Sequence, residues 1–171
     1  MTAFLDPTGS GAAPAGGEML SSHFSRAEFE HSDTAIAHGI VNVMGPMQLA
    51  NARSLCMNIL EPLRAELGRA IVLTSGYRCL QVNRLVGSSD GSQHVQGMAA
   101  DINDGGSRYK LAQHIAASTL DFDQLILEAY HPGQPLSGWV HVSRKPGGPQ
   151  RRQILTIPTG RGNAALPGLH P

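Results

Sequence analysis

Two hydrophobic periods divide the chain. From Pro46 to Leu67 the apolar positions recur at helical spacing, and from Ala70 onward short apolar runs alternate with polar turns. Ser25-Arg26-Ala27-Glu28 has the spacing of a capping box, which predicts a short helix starting at Arg26. Pro46 suits the first turn of a longer helix running to Leu67. Within it Ala52, Cys56, Ile59, Leu63 and Leu67 fall on one face, Pro62 is placed to kink it, and Gly68 to end it. Strands are expected at 70–74, 98–103, 123–130, 138–143 and 153–157, with helices at 79–86 and 107–118 and a polar loop at 87–93. The pattern is α+β.

Both ends break it. Residues 1–18 are rich in Gly, Ala and Pro and read as a flexible arm; residues 158–171 read as a matching tail. The folded unit is then 19–157, one domain by length.

Charged residues are 15% of the 171, and 13 basic side chains balance 13 acidic ones. That balance argues against a dedicated nucleic-acid binder. Its distribution is uneven: no acid follows Glu128, whereas Arg144, Lys145, Arg151, Arg152 and Arg161 do. Such a half suits an anionic surface or an ordinary solvated one. No apolar run is long enough to span a membrane. The first 18 residues hold neither a basic residue nor an apolar run, so no secretory signal is expected. Cys56 and Cys79 are too few and too far apart for a disulfide scaffold or a thiolate metal site, and read as small buried residues.

His94, Asp101 and His141 carry the candidate chemistry. A catalytic zinc site needs three protein ligands and one open position. His94 and Asp101 are seven apart, an odd offset that cannot share one face of one strand. The spacing works if His94 ends a loop and Gly97 turns the chain into a strand bearing Asp101. In Trp139-Val140-His141-Val142-Ser143, alternation puts Trp139, His141 and Ser143 on one face; a lone histidine there is also compatible with a structural role. Glu128 ends an apolar run, where an unpaired carboxylate is costly. It is either a general base, on a strand antiparallel to that of His141, or the partner of an arginine. Asp121 and Asp123 are rival bases at a strand start. Arg78, after a Ser-Gly-Tyr turn, is placed to hold a carboxylate or oxyanion, or is simply solvated.

Ser92-Gln93-His94-Val95-Gln96-Gly97-Met98-Ala99-Ala100-Asp101 resembles the Ser-x-His-x-x-Gly-x-Ala-x-Asp motif of the zinc D-alanyl-D-alanine carboxypeptidases and related phage endolysins. Ser75-Gly76-Tyr77-Arg78, Asn83, the Trp139–Ser143 segment, His23-Phe24 with Glu28, and 60–64 resemble the same family in the same order. The resemblance implies a hedgehog/DD-peptidase-like fold, a small antiparallel sheet flanked by helices. It implies one Zn2+ held by His94, Asp101 and His141, with Arg78 steadying substrate or transition state. It also implies cleavage of peptide bonds in peptidoglycan stem peptides. Some members carry the base three residues before the last histidine, where this chain has Gly138; a related branch with Asp-Gln-Leu-Ile-x-Glu implies Glu128 instead. A phage or prophage product is expected, retained in the host cytoplasm until release or carried in the virion, its terminal arms available to other virion proteins. The alternative is a virion structural protein using the fold as a scaffold with little or no catalysis.

Overall fold

The computed structural model describes residues 17–158 and 164–170. Helix α1 (Arg26–Glu30) starts in the expected capping box: Ser25 Oγ accepts from the Glu28 N–H, and the Glu28 carboxylate accepts from the Ser25 N–H. A second short helix, α2 (Asp33–Ala37), is capped by Ser32. It lies outside the expected elements because it has no apolar stripe: Ala35 is buried, but Ile36 faces solvent.

The long helix is continuous but not uniform. Helix α3 (Pro46–Leu55) passes through a π-helical turn (Cys56–Leu60) into α4 (Glu61–Leu67). Pro62 has no N–H to give and its ring crowds the preceding turn, and widening that turn accommodates it without ending the helix. Gly68, at φ +63°, closes the helix in the left-handed region. Cys56 and Cys79 are free thiols; Cys56 is buried, which pushes its thiol up to about 12.

After β1 (Val72–Ser75) come α5 (Leu80–Leu85), a 3-10 turn (Gln93–Gln96), β2 (Ala99–Asn103) and α6 (Arg108–Ala117). Strands β3 (Gln124–Glu128), β4 (Trp139–Ser143), β5 (Gln153–Ile157) and β6 (Leu166–Pro167) complete a six-stranded sheet ordered β1-β2-β4-β3-β5-β6. Its pairs are antiparallel except β3 with β5. The fold is thus α+β.

Period-two alternation sorts the central strands into two faces. Ala100, Ile102, Leu125, Leu127, Val140 and Val142 join one buried cluster with Phe24, Phe29, Leu55, Ile59 and Leu63 from the helical layer and Leu111 and Ile115 from α6. The residues between them, Asp101, Ile126, Glu128, Trp139 and His141, therefore point to the other face. In register, Asp101 opposes His141, His141 opposes Ile126, and Trp139 opposes Glu128. Three strands thus present their polar residues together.

The N-terminal arm expected at 1–18 lies outside the described residues apart from Gly17 and Glu18; the Glu18 carboxylate pairs with Arg26 and Arg53 at 2.9 and 2.6 Å. The tail expected at 158–171 includes an ordered segment. Leu166–Pro167 pair with β5, Thr156 Oγ1 donates to the Gly168 carbonyl and accepts from the His170 N–H, and Leu169 packs against the core. Backbone pairing and one apolar anchor place this segment, and a two-residue strand has no hydrophobic period to announce it. Among the described residues no helix is long and apolar enough to cross a membrane.

Candidate metal centre

His94 sits in the 3-10 turn before β2, and its neighbours dictate that turn. Ser92 Oγ accepts from the His94 N–H at 3.3 Å, and Asn51 on α3 donates to the Gln96 carbonyl at 2.8 Å. Gly97 then takes φ +70° with its α-carbon pressed on the Gln48 backbone, where a Cβ would collide. The chain turns there into β2, so Asp101 arrives beneath His94. The seven-residue offset is bridged by turn plus strand, as the spacing required.

The side chains converge. His94 Nε2 lies 3.2 Å from Asp101 Oδ1 and 3.1 Å from His141 Nδ1, and His141 Nδ1 lies 3.0 Å from the same carboxylate oxygen. All three residues are buried. His94 Nδ1 donates to the Gly76 carbonyl at 2.5 Å, which leaves Nε2 as the lone-pair atom facing the other two. Two imidazole nitrogens and a carboxylate oxygen brought this close could share a cation. Zinc bonds of about 2.0–2.1 Å set tetrahedral ligands about 3.3 Å apart, close to the triangle observed. The donor set, its burial and its dimensions fit a zinc-type ion, and among the described residues it is the group of three or more such side chains able to hold a metal. Burial opposes ionisation of Asp101, yet its surroundings hold the carboxyl below the usual range, in the anionic form that a metal ligand needs.

His94 and His141 line an open cleft of about 340 Å3 together with Glu128, Arg78, Gln124 and Arg151. Glu128 accepts from Trp139 Nε1 at 2.9 Å. Burial and the nearby Asp101 charge raise its carboxyl above the ordinary value, against the opposing influence of His141, Trp139 and Arg78. A half-buried carboxylate of raised basicity at the cleft wall has the properties of a proton acceptor. Gly138, which occupies the alternative base position, is left-handed at φ +68°, and a Cβ there would run into the Glu128 carbonyl. The backbone of β3 therefore excludes a side chain at 138.

Arg78 Nη1 stands 3.9 Å from Asp101 Oδ2, and its backbone N–H donates to the His94 carbonyl at 3.3 Å. The turn expected after β1 thus delivers both the arginine and, through Gly76, the carbonyl that orients His94. The rival bases are occupied otherwise. Asp123 is fully buried in contact with Gln93, Arg151 and Lys145, and the two cations hold its carboxyl well below the ordinary range despite burial. Asp121 is exposed and pairs with Arg144 at 3.2 Å. Trp139 as the Glu128 donor, and Arg151 on the cleft wall, were absent from the sequence reading. The alternation of β4 already placed Trp139 on the His141 face, and only its register with β3 identifies its partner.

A family model described as Peptidase M15 matches residues 22–143, more than two thirds of the chain. The matched stretch contains Arg78, His94, Asp101, Glu128 and His141. A search of curated proteins finds no match.

Proposed function

Because the chain belongs to the Peptidase M15 family, zinc-dependent peptidases acting on peptidoglycan-type substrates, we propose that it hydrolyses peptide bonds in peptidoglycan stem peptides, with Zn2+ held by His94, Asp101 and His141. The observation that carries this reading is the 3.0–3.2 Å triangle of candidate ligand atoms opening on the cleft that Glu128 and Arg78 also line. A buried metal cluster without an access route would suit a scaffold; this one borders open space.

Held by His94, Asp101 and His141, a zinc-type ion would supply Lewis-acid polarisation of the scissile carbonyl and would acidify bound water. The protein's own groups do the rest. Glu128 accepts the proton of the attacking water at its carboxylate and passes it to the leaving nitrogen. Trp139, donating to Glu128 Oε2, fixes the orientation of that carboxylate. Arg78 donates to the oxygen on which negative charge develops, beside the ligand carboxylate that it neighbours. The Gly76 carbonyl keeps His94 in the tautomer that offers Nε2.

A phage lysis enzyme or a virion-borne wall hydrolase is the setting we assign to this activity. Digestion of purified peptidoglycan, with and without chelator, tests it through the released fragments. Mass-identified stem-peptide cleavage products that vanish with chelator and return with zinc are expected; intact stems under all conditions would overturn the reading.

A further inference from the structure

Beyond the triad, the cleft wall carries a second arginine whose chemistry the hydrolytic scheme does not use. Arg151 precedes β5 and lines the same cleft as Arg78, Glu128 and His141. Its Nε lies 3.1 and 3.0 Å from the two Asp123 oxygens, its Nη2 donates to Asp123 Oδ2 at 2.6 Å, and its backbone N–H donates to Oδ1 at 3.1 Å. Asp123 is fully buried, so this carboxylate is a fixed anchor that orients the guanidinium plane. Half of the Arg151 side chain nevertheless remains exposed.

Charge counting around the anchor leaves a surplus. Lys145 Nζ is 3.1 Å from Asp123 Oδ1, so one carboxylate faces two cations, with the neutral Gln93 amide as a third donor. A neighbouring hollow of about 480 Å3, lined by Gln93, Lys145 and Arg151 among others, shares Gln93 and Arg151 with the cleft. Asp101 and Glu128, the other acids that line or underlie the cleft, make their hydrogen bonds to the two histidines and Trp139, and neither makes one with Arg151 or Lys145 among the described residues. An oriented, partly exposed guanidinium with surplus positive charge is a receptor for a carboxylate. Its orientation is set before any ligand arrives, so little side-chain entropy is lost on binding.

We propose that Arg151 is a specificity-determining residue that binds a free carboxylate of the peptide substrate, with Lys145 reinforcing the field from the adjoining hollow. The inference rests on the peptidase reading above and names the substrate feature that reading leaves open. The carboxylate comes from an acidic residue within the peptide or from its C-terminus.

Three synthetic stem-type peptides separate these sources: one with all carboxylates free, one with the internal acidic group amidated, and one with the C-terminus amidated. They are assayed with the zinc-loaded wild type, R151Q and R151K, reading kcat and KM separately and metal content in parallel. The wild type is expected to prefer the free peptide over one amidated form by about tenfold or more, chiefly in KM, as a charge-assisted contact would give. R151Q collapses that preference and R151K, which keeps the charge, restores part of it; the amide that is discriminated against identifies the source. An R151Q enzyme that keeps the wild-type preference, or that loses equally on all three peptides with metal still bound, would overturn the proposal. Wild type that cleaves all three equally overturns it while leaving the peptidase reading in place. Wild type that cleaves none overturns the peptidase reading itself, and the role of Arg151 with it.

Discussion

Trp139 and Glu128 face each other across β4 and β3, and the indole Nε1 donates to Glu128 Oε2 at 2.9 Å. Their pairing is a register contact: the alignment of β4 on β3 sets the carboxylate, and the alignment of β4 on β2 sets His141 opposite Asp101. The candidate base and the last candidate metal ligand are coupled through one strand, β4.

Glu128→Gln is expected to keep the metal and the fold and to lose about 100-fold or more in hydrolysis, because the near-isosteric amide cannot take the proton of water. Steady-state kinetics with metal analysis on the same preparation checks this. A near wild-type rate would move the role elsewhere.

The raised carboxyl of Glu128 makes a prediction for pH. The base works only when ionised, so activity falls as pH drops through the value of its carboxyl, which burial and the Asp101 charge push upward. Trp139→Phe removes a hydrogen bond that favours the charged form. The limb should then move further up, read from kcat/KM against pH.

Gly138→Ala should harm both stability and rate. The added Cβ meets the Glu128 carbonyl, and an alanine at φ +68° is strained. A loss of about 1–3 kcal/mol is expected from chemical denaturation. Activity should fall further than stability requires, because β3 must shift to make room.

Asp123 is expected to support the fold rather than proton transfer. Asp123→Asn removes one partner of a buried ion pair whose cations are partly exposed, so the cost is about 1–3 kcal/mol, below the figure for a fully buried pair. Because its folded value is depressed, that contribution is complete above the ordinary Asp value of about 3.9 and fades as pH falls toward the depressed one. Melting curves of wild type and variant should therefore converge in acid; an equal gap at all pH values would contradict this.

Much of this was legible before any coordinates. The Ser25–Glu28 capping box, the αL glycine at 68 and the alternation around His141 are local signals, and local hydrogen bonding realises them directly. The approach of His94 to Asp101 was legible because Gly97 sits between them, where a tight turn is needed. Long-range pairing was less accessible. Nothing in Gln153–Ile157 says that it pairs parallel to β3, and nothing in Leu166–Pro167 says that it pairs at all. Asp123 reads as a rival base at a strand start in the chain, and only the return of Lys145 and Arg151 shows it tied up in ion pairs.

The central claim is that His94, Asp101 and His141 hold the ion on which peptide hydrolysis depends. Zinc content and stem-peptide cleavage, measured on the same samples of wild type and the His94→Ala, His141→Ala double mutant, test it most directly. One zinc per chain with chelator-sensitive cleavage in the wild type, and loss of both in the double mutant, is the predicted result. Stoichiometric zinc or undiminished cleavage in the double mutant would contradict it.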